Sequence, residues 1–143
     1  MENSNASGSI VLLTRLARVV YRRSTKELLG IQLKELATLA YLRDHEEASQ
    51  QALTHALMLD ANSCVLLLNE LETSGFAERR RDPDDRRRHI VALTPAGRQA
   101  LERAERAQES IEDEVLANLD PEQRAAFKTL LGRALETPAA VRA

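Results

Sequence analysis

The segment RRRDPDDRRRH, residues 79–89, places six arginines in eleven residues of a chain whose formal net charge is −2. Guanidinium groups bind phosphates through paired hydrogen bonds, and they enter narrow minor grooves of DNA, where negative potential is concentrated. Because the whole chain is slightly acidic, any attraction to nucleic acid must come from this local patch. The alternative interpretation is a solvated loop whose mixed charges serve only solubility.

The neighbouring residues predict a β-hairpin with the arginines at its tip. Val91 and Leu93 alternate with outward residues, as in a half-buried strand. Pro83 suits the second position of a turn, and the side chain of Asp82 before it can bond back to its own backbone. The hairpin tip then carries Arg86, Arg87 and Arg88.

The aspartates of the segment have a separate expected role. Asp85 is close enough in sequence to Arg87, or to Arg79 across the hairpin, to hold one arginine in a bidentate pair and so aim another. A run of arginines without such a partner would be more flexible and less selective.

Apolar spacing and capping residues predict the elements that carry this hairpin. We expect helices over residues 9–29, 32–43, 50–59, 64–75, 95–118 and 121–137, with a loop at residues 44–49. Two short helices joined by a tight turn and followed by a hairpin are in the order of a winged helix. The expected fold is mainly α with a small β-hairpin wing: a winged helix-turn-helix core plus a helical dimerisation region.

The ends of the chain predict a dimer. The apolar stripe on residues 10–29 and the apolar last helix flank a small core that cannot cover both, and such exposed stripes are a liability in a monomer. We expect a tail and dimerisation helix at residues 1–30, a DNA-binding domain at 31–94 and C-terminal dimerisation helices at 95–143. A two-fold dimer would present two recognition helices about one DNA turn apart and require a pseudo-palindromic site.

Several function classes lack support in the sequence. We find no nucleophile–base pair, phosphate-binding glycine loop or carboxylate pair, so we do not expect an enzyme or a cofactor. His45, His55 and His89 are too scattered for a metal site. A single cysteine, no apolar run of about 20 residues and no secretory signal indicate a cytoplasmic protein without membrane association.

The run LMLDANSCVLLLNELETSGFAERRRDPDDRRRHIVALTPAGRQAL resembles the DNA-binding core of MarR-family transcriptional regulators. That family's pattern has a Leu-Asp turn, a recognition helix ending in Leu-Glu-x-x-Gly, an Arg, a wing of Asp-Pro-x-Asp-Arg-Arg, and Leu-Thr-x-x-Gly. The matching residues, in order and spacing, are Leu71, Glu72, Gly75, Arg79, Asp82, Pro83, Asp85, Arg86, Arg87, Leu93, Thr94 and Gly97.

The resemblance extends over residues 9–137 and implies a homodimeric regulator, most often a repressor, that a small aromatic or anionic effector releases from double-stranded DNA. In the family, Asp85 pairs with a neighbouring arginine and Arg87 probes the minor groove. The DNA-binding residues we expect are Ser49, Gln50, Asn62, Ser63, Val65, Leu66, Asn69, Arg79, Asp85, Arg86, Arg87 and Arg88. Arg18, Tyr21, Arg22 and Tyr41 are the candidates for effector binding.

The recognition helix departs from the family pattern. Val65, Leu66 and Glu70 stand where the family usually has a hydroxyl or polar residue and two arginines. Val65 and Leu66 cannot bond base edges and can only touch thymine methyls, while Glu70 would repel a phosphate. We therefore expect modest affinity that depends on the wings, or a T-rich site, or partial loss of DNA binding. The alternative is an interaction module whose apolar helix face docks a partner protein.

Cys64 offers a second alternative, a thiol redox switch. Family members that sense peroxide carry the thiol in the N-terminal helix, whereas Cys64 lies on the predicted buried face of the recognition helix. A reactive thiol needs an exposed position and a lowered pKa, so we expect an inert cysteine.

Overall fold

A computed structural model of the chain describes residues 7–136. The elements in this range are α1 (Ser9–Arg23), α2 (Lys26–Leu29), α3 (Leu33–His45), β1 (Glu47–Ser49), α4 (Gln50–Ala56), α5 (Ala61–Thr73), β2 (Ala77–Arg81), β3 (His89–Leu93), α6 (Pro95–Val115) and α7 (Pro121–Leu135). The mainly helical winged-helix fold that the sequence predicts is confirmed. Parts of the expected dimerisation segments, residues 1–6 and 137–143, lie outside the described range.

β3 is the middle strand of a three-stranded antiparallel sheet, in the order β1-β3-β2. β2 and β3 form the predicted hairpin, in which Ala77 is opposite Leu93 and Arg81 is opposite His89. The expected loop at residues 44–49 is wrong except at Glu46, since Asp44 and His45 belong to α3 and Glu47–Ser49 pairs with β3 as β1. β1 provides hydrogen-bond partners for the second edge of β3. Because β1 has only three residues and its partner strand lies more than 40 residues away, it leaves no pattern in the local sequence.

The first predicted helix is two helices. α1 ends at Arg23, and Thr25 begins α2 by accepting a hydrogen bond from the backbone N–H of Leu28 at 3.2 Å. Gly30 then ends α2 in the left-handed region at φ 85°, as the sequence predicts. The break turns the chain from α1 toward the core, where Leu29 and Ile31 are buried.

One hydrophobic core joins α2, α3, α4, α5, the sheet and α6 as far as Ile111. Leucines at helical spacing on α3 and α5 supply six of its sixteen buried residues, and Val91 of β3 is buried in the same cluster. Its most completely buried side chains include Leu39, Leu42, Leu53, Leu68, Leu71, Val91 and Leu101.

The junction between wing and α6 explains the Leu-Thr-x-x-Gly pattern. Thr94 Oγ1 accepts from the N–H of Gly97 at 3.0 Å and donates to the carbonyl of Gly75 at 2.6 Å. A Cβ on Gly97 would lie 2.0 Å from the carbonyl oxygen of Phe76. Only glycine therefore lets the first turn of α6 approach the strand-bearing segment this closely.

α1 and α7 are the least covered helices of the described chain. Neither Ser9–Arg23 nor Pro121–Leu135 contains a buried residue. Large apolar side chains on both helices face solvent: Ile10, Val11, Leu12, Leu13, Val19, Tyr21, Leu130, Leu131 and Leu135.

Candidate nucleic-acid interface

α5 is held at its start by Asp60. The Asp60 carboxylate accepts from the backbone N–H of Ser63 at 2.7 Å and from its hydroxyl at 3.0 Å. These bonds, the backbone one first, hold the pKa of Asp60 below its ordinary value. This capping fixes the first turn of α5. It also means that Ser63, one of the predicted DNA contacts, donates its hydroxyl to a residue of the protein itself.

The outward face of α5 is the one that its spacing predicts. Ala61, Asn62, Leu66, Asn69 and Glu70 are exposed and Val65 is half-buried. The opposite face packs in the core, where Cys64 is 1% exposed. The cysteine therefore lacks the accessibility that a peroxide-sensing thiol needs.

The wing tip is organised by its aspartates. Asp82 Oδ1 accepts from the N–H of Asp84 at 2.9 Å, and Asp85 Oδ1 accepts from the N–H and the Nε of Arg87 at 3.1 and 3.3 Å. Asp85 thus pairs with Arg87 through one oxygen. The Arg87 side chain remains 91% exposed, so the pair restrains the guanidinium without withdrawing it from solvent.

Backbone contacts also pin the tip. Arg81 Nη1 donates to the carbonyl of Arg86 at 2.7 Å, and the N–H of Arg88 donates to the carbonyl of Asp85 at 2.9 Å. At the base of the wing, Arg80 Nη2 lies 2.8 Å from Glu47 Oε2 of β1. Arg86, Arg87 and Arg88 are left as the exposed cations of the tip.

Arg79 points toward the helices rather than to the tip. Its Nε and Nη2 donate to Glu72 Oε1 at 3.0 and 2.7 Å, and its backbone N–H donates to Glu72 Oε2 at 3.2 Å. Nη2 also donates to Asn69 Oδ1, and Nη1 lies 3.5 Å from Gln50 Oε1. The expected option that Asp85 holds Arg79 is wrong, because Glu72 is its partner. Arg79 joins α4, α5 and β2.

The Glu72–Arg79 pair predicts a pH dependence of stability. Hydrogen bonds from the Arg79 side chain hold the pKa of Glu72 below its unfolded value of about 4.3. The stabilisation is therefore complete above that value and is lost as the pH falls through the lower, folded pKa. We expect Glu72→Gln to lower the free energy of unfolding by about 1 kcal/mol at pH 7, a small effect because a third of the side chain is exposed.

Urea denaturation between pH 7 and pH 3 measures this effect. The difference between wild type and Glu72→Gln should shrink below about pH 4.3. Glu70→Gln is the matched control, since Glu70 is exposed on the same helix. Parallel pH profiles for wild type and Glu72→Gln would contradict the prediction.

A groove of about 640 Å³ lies between α4, the turn into α5 and the wing tip. We call it the wing groove. Ser49 and Gln50 border it on the helical side, and Arg87 and Arg88 border it on the wing side. Met58 also lines it and was not among the predicted residues. The groove brings together four predicted site residues from segments about 40 residues apart.

The predicted effector residues do not form one site. A second cavity, of about 470 Å³, lies between α1, α6 and α7, and Tyr21 is the only one of the four that lines it. Arg18 and Arg22 lie on α1 outside this lining, and the ring of Tyr41 stacks on His45 with centroids 3.9 Å apart. The sequence placed these four residues on helices, but it did not indicate which face of each helix would border the cavity.

Within residues 7–136, no single helix is both long enough and apolar enough to span a membrane. α4 and α5 meet these two criteria only when they are taken together, and the chain bends by 113° between them. The same residues contain no group of three or more His, Cys, Asp or Glu side chains placed to hold a metal ion.

Comparison with known proteins places this geometry in a family. The MarR family model matches residues 31–89. A protein of Thauera aromatica, assigned to transcriptional regulation of the hcr operon, is 34% identical over 139 residues, which cover 94% of this chain and 81% of that protein. YdgJ of Bacillus subtilis, an uncharacterised HTH-type transcriptional regulator, is 34% identical over 104 residues, 73% of this chain; the match spans 63% of YdgJ.

Solved structures share the fold. The chain superposes on wild-type MarR from E. coli in its apo form with a TM-score of 0.78 at 22% identity, covering 91% of this chain and 98% of that one. A mutant of E. coli MarR complexed with operator DNA gives a TM-score of 0.68 at 24% identity, with coverages of 89% and 96%. The chain has a winged helix-turn-helix with arginines at the tip of the wing, and the match to the Thauera aromatica protein covers most of both chains. The chain therefore belongs to the MarR family of DNA-binding transcriptional regulators.

Proposed function

We propose that the chain is a homodimeric repressor that binds a pseudo-palindromic duplex and is released by a small apolar effector. One observation carries the DNA-binding part: the exposed guanidinium of Arg87 and the start of α5 border the same groove. A duplex lying across this groove would receive the wing in its minor groove and α5 in its major groove.

Exposure of α1 and α7 supports the homodimer. Apolar side chains line both helices and find no cover within residues 7–136. A second copy related by a two-fold axis would bury both stripes with the same residues. It would also present two wings, which a symmetric operator requires.

The cavity between α1, α6 and α7 is where we place the effector. Its lining is mainly apolar, from residues such as Val20, Ile111 and Phe127, and its polar rim includes Glu105 and Glu112. Among the lining residues the structure describes there is no Lys, Arg or His, so the geometry favours an aromatic, uncharged effector over the anionic one. Release follows if the effector binds more tightly to a dimer whose two recognition helices do not match the operator spacing.

Salt-dependent binding to the DNA upstream of the chain's own gene tests this function. Two wings with three tip arginines each would neutralise about six phosphates, which predicts a slope of about −5 for log affinity against log salt. Doubling the salt concentration should then weaken binding about 30- to 40-fold. Fluorescence anisotropy with a labelled duplex measures it.

The same titration separates the proposal from the alternative of a protein-interaction module. A module that docks a partner through Val65 and Leu66 would bind the duplex weakly at every salt concentration, without a slope of this size. Absence of measurable binding at low salt would overturn the proposed function.

A further inference from the structure

The outward face of α5 has few groups available for hydrogen bonds to bases. The hydroxyl of Ser63 donates to Asp60, and Asn69 Oδ1 accepts from Arg79. Asn62, at the start of the helix, is exposed, and an Asn amide is suited to adenine. Of the two asparagines on this face, Asn62 is therefore the one whose amide oxygen is not engaged by Arg79.

The middle of the same face is apolar. Leu66 is 55% exposed, four residues after Asn62 and on the same side of the helix, with Val65 beside it. Leu66 does not belong to the hydrophobic core, whereas Cys64, Leu67, Leu68 and Leu71 do. Its position is set by the helix that Asp60 and Arg79 fix at its two ends.

From this arrangement we infer that Leu66, together with Val65, reads the 5-methyl groups of thymine in the major groove. The inference rests on the proposed DNA-binding function and names the chemistry of its specificity. Thymine is the base that presents a methyl group in the major groove, and aliphatic side chains contact it without needing a hydrogen bond.

Charge on the neighbouring surface favours DNA over a protein as the occupant of this face. Arg87 and Arg88 border the wing groove that leads to the start of α5 at Ala61, and Arg86 is exposed at the same tip. A polyanion matches this rim, and a duplex places methyl groups and phosphates together on one surface.

The test uses duplexes that the wild-type protein selects from a random-sequence library at low salt. We expect thymine to be enriched at fixed positions in each half of the selected site. Substituting deoxyuridine for thymidine at those positions removes the methyl group and leaves every hydrogen-bonding group in place. Each contacted methyl should contribute about fourfold, so loss of one in each half-site should weaken wild-type binding about 10-fold or more.

Two variants assign the effect to Leu66. Leu66→Ala should weaken binding to the thymidine duplex and respond little to deoxyuridine, while Leu66→Met, which keeps an apolar side chain of similar volume, should retain the response. Thermal unfolding of both variants verifies that they are folded, and Leu66 is exposed, so we expect little change in stability. Deoxyuridine at thymines outside the selected positions is the matched DNA control.

The outcomes separate this inference from the function on which it rests. Equal wild-type affinity for the thymidine and deoxyuridine duplexes would overturn methyl readout while leaving DNA binding intact. An undiminished deoxyuridine response in Leu66→Ala would show that another side chain contacts the methyl, and would overturn the assignment to Leu66. If no duplex is selected at all, the proposed DNA-binding function itself fails.

Discussion

Replacing Arg86, Arg87 and Arg88 together by alanine is expected to weaken binding to operator and random DNA alike, by about 10³-fold or more. A dimer presents six of these arginines. Even at about 0.7 kcal/mol for each charge-assisted contact, their loss amounts to about 4 kcal/mol, or three orders of magnitude. The side chains are exposed at the wing tip, so the fold should not change.

The salt dependence should change with the affinity. Removing about six phosphate contacts should reduce the slope of log affinity against log salt by about five. Anisotropy titrations at several salt concentrations give both quantities, and Arg87→Ala alone should show an intermediate loss. Substituting Asp85 by Asn should act in the same direction but less strongly, because it loosens Arg87 without removing its charge.

A triple variant of Arg98, Arg103 and Arg106 is the charge-matched control. These arginines lie on α6, outside the wing hairpin, and their replacement by alanine changes the net charge by the same amount. If the control weakens binding as much as the wing variant, the attraction comes from overall charge, and the wing is not the DNA probe.

The sequence predicted the parts of this site that depend on neighbouring residues. Asp85 and Arg87 are two positions apart, and their pairing follows from a tight turn. Gly75 ends α5 at φ 78°, as Leu-Glu-x-x-Gly predicts, because few other residues adopt that conformation without strain. Thr94 and Pro95 begin α6 for equally local reasons.

The sequence did not predict the contacts between segments that are distant along the chain. Gln50 and Arg79 are 29 residues apart, and only the packed fold shows that Arg79 turns toward α4 and α5. A signal for its partner was present, since Glu72 lies near the end of α5 and close in sequence to β2. The pairing of Glu47 with Arg80 depends on β1, which has no pattern of its own. Three residues cannot show an alternation that distinguishes a strand from a loop.

Substituting Leu130 and Leu135 of α7 together by glutamate is expected to dissociate the homodimer. Both side chains are exposed in the single chain, Leu135 to 80%, so their replacement should leave the winged helix folded. In the proposed dimer they are buried, and two uncompensated carboxylates from each chain would cost several kcal/mol. The mass in solution should fall from twice 16.0 kDa to 16.0 kDa, which sedimentation or light scattering measures.

Loss of the dimer should also remove operator binding, although every DNA-contacting residue is intact. Each half-site would then be bound independently, and the gain from holding two wings on one duplex would disappear, at least about 100-fold in affinity. Met58→Glu provides the control for the mass measurement alone: Met58 is 88% exposed and lies at the wing groove, outside α1 and α7, so the variant should keep the dimer mass. A wild-type mass of 16.0 kDa, or a variant that remains dimeric with undiminished operator affinity, would show that a second copy does not cover these leucines of α7. In the proposed dimer this interface sets the spacing of the two recognition helices, so the test decides whether the apolar ends of the chain control what its charged middle can bind.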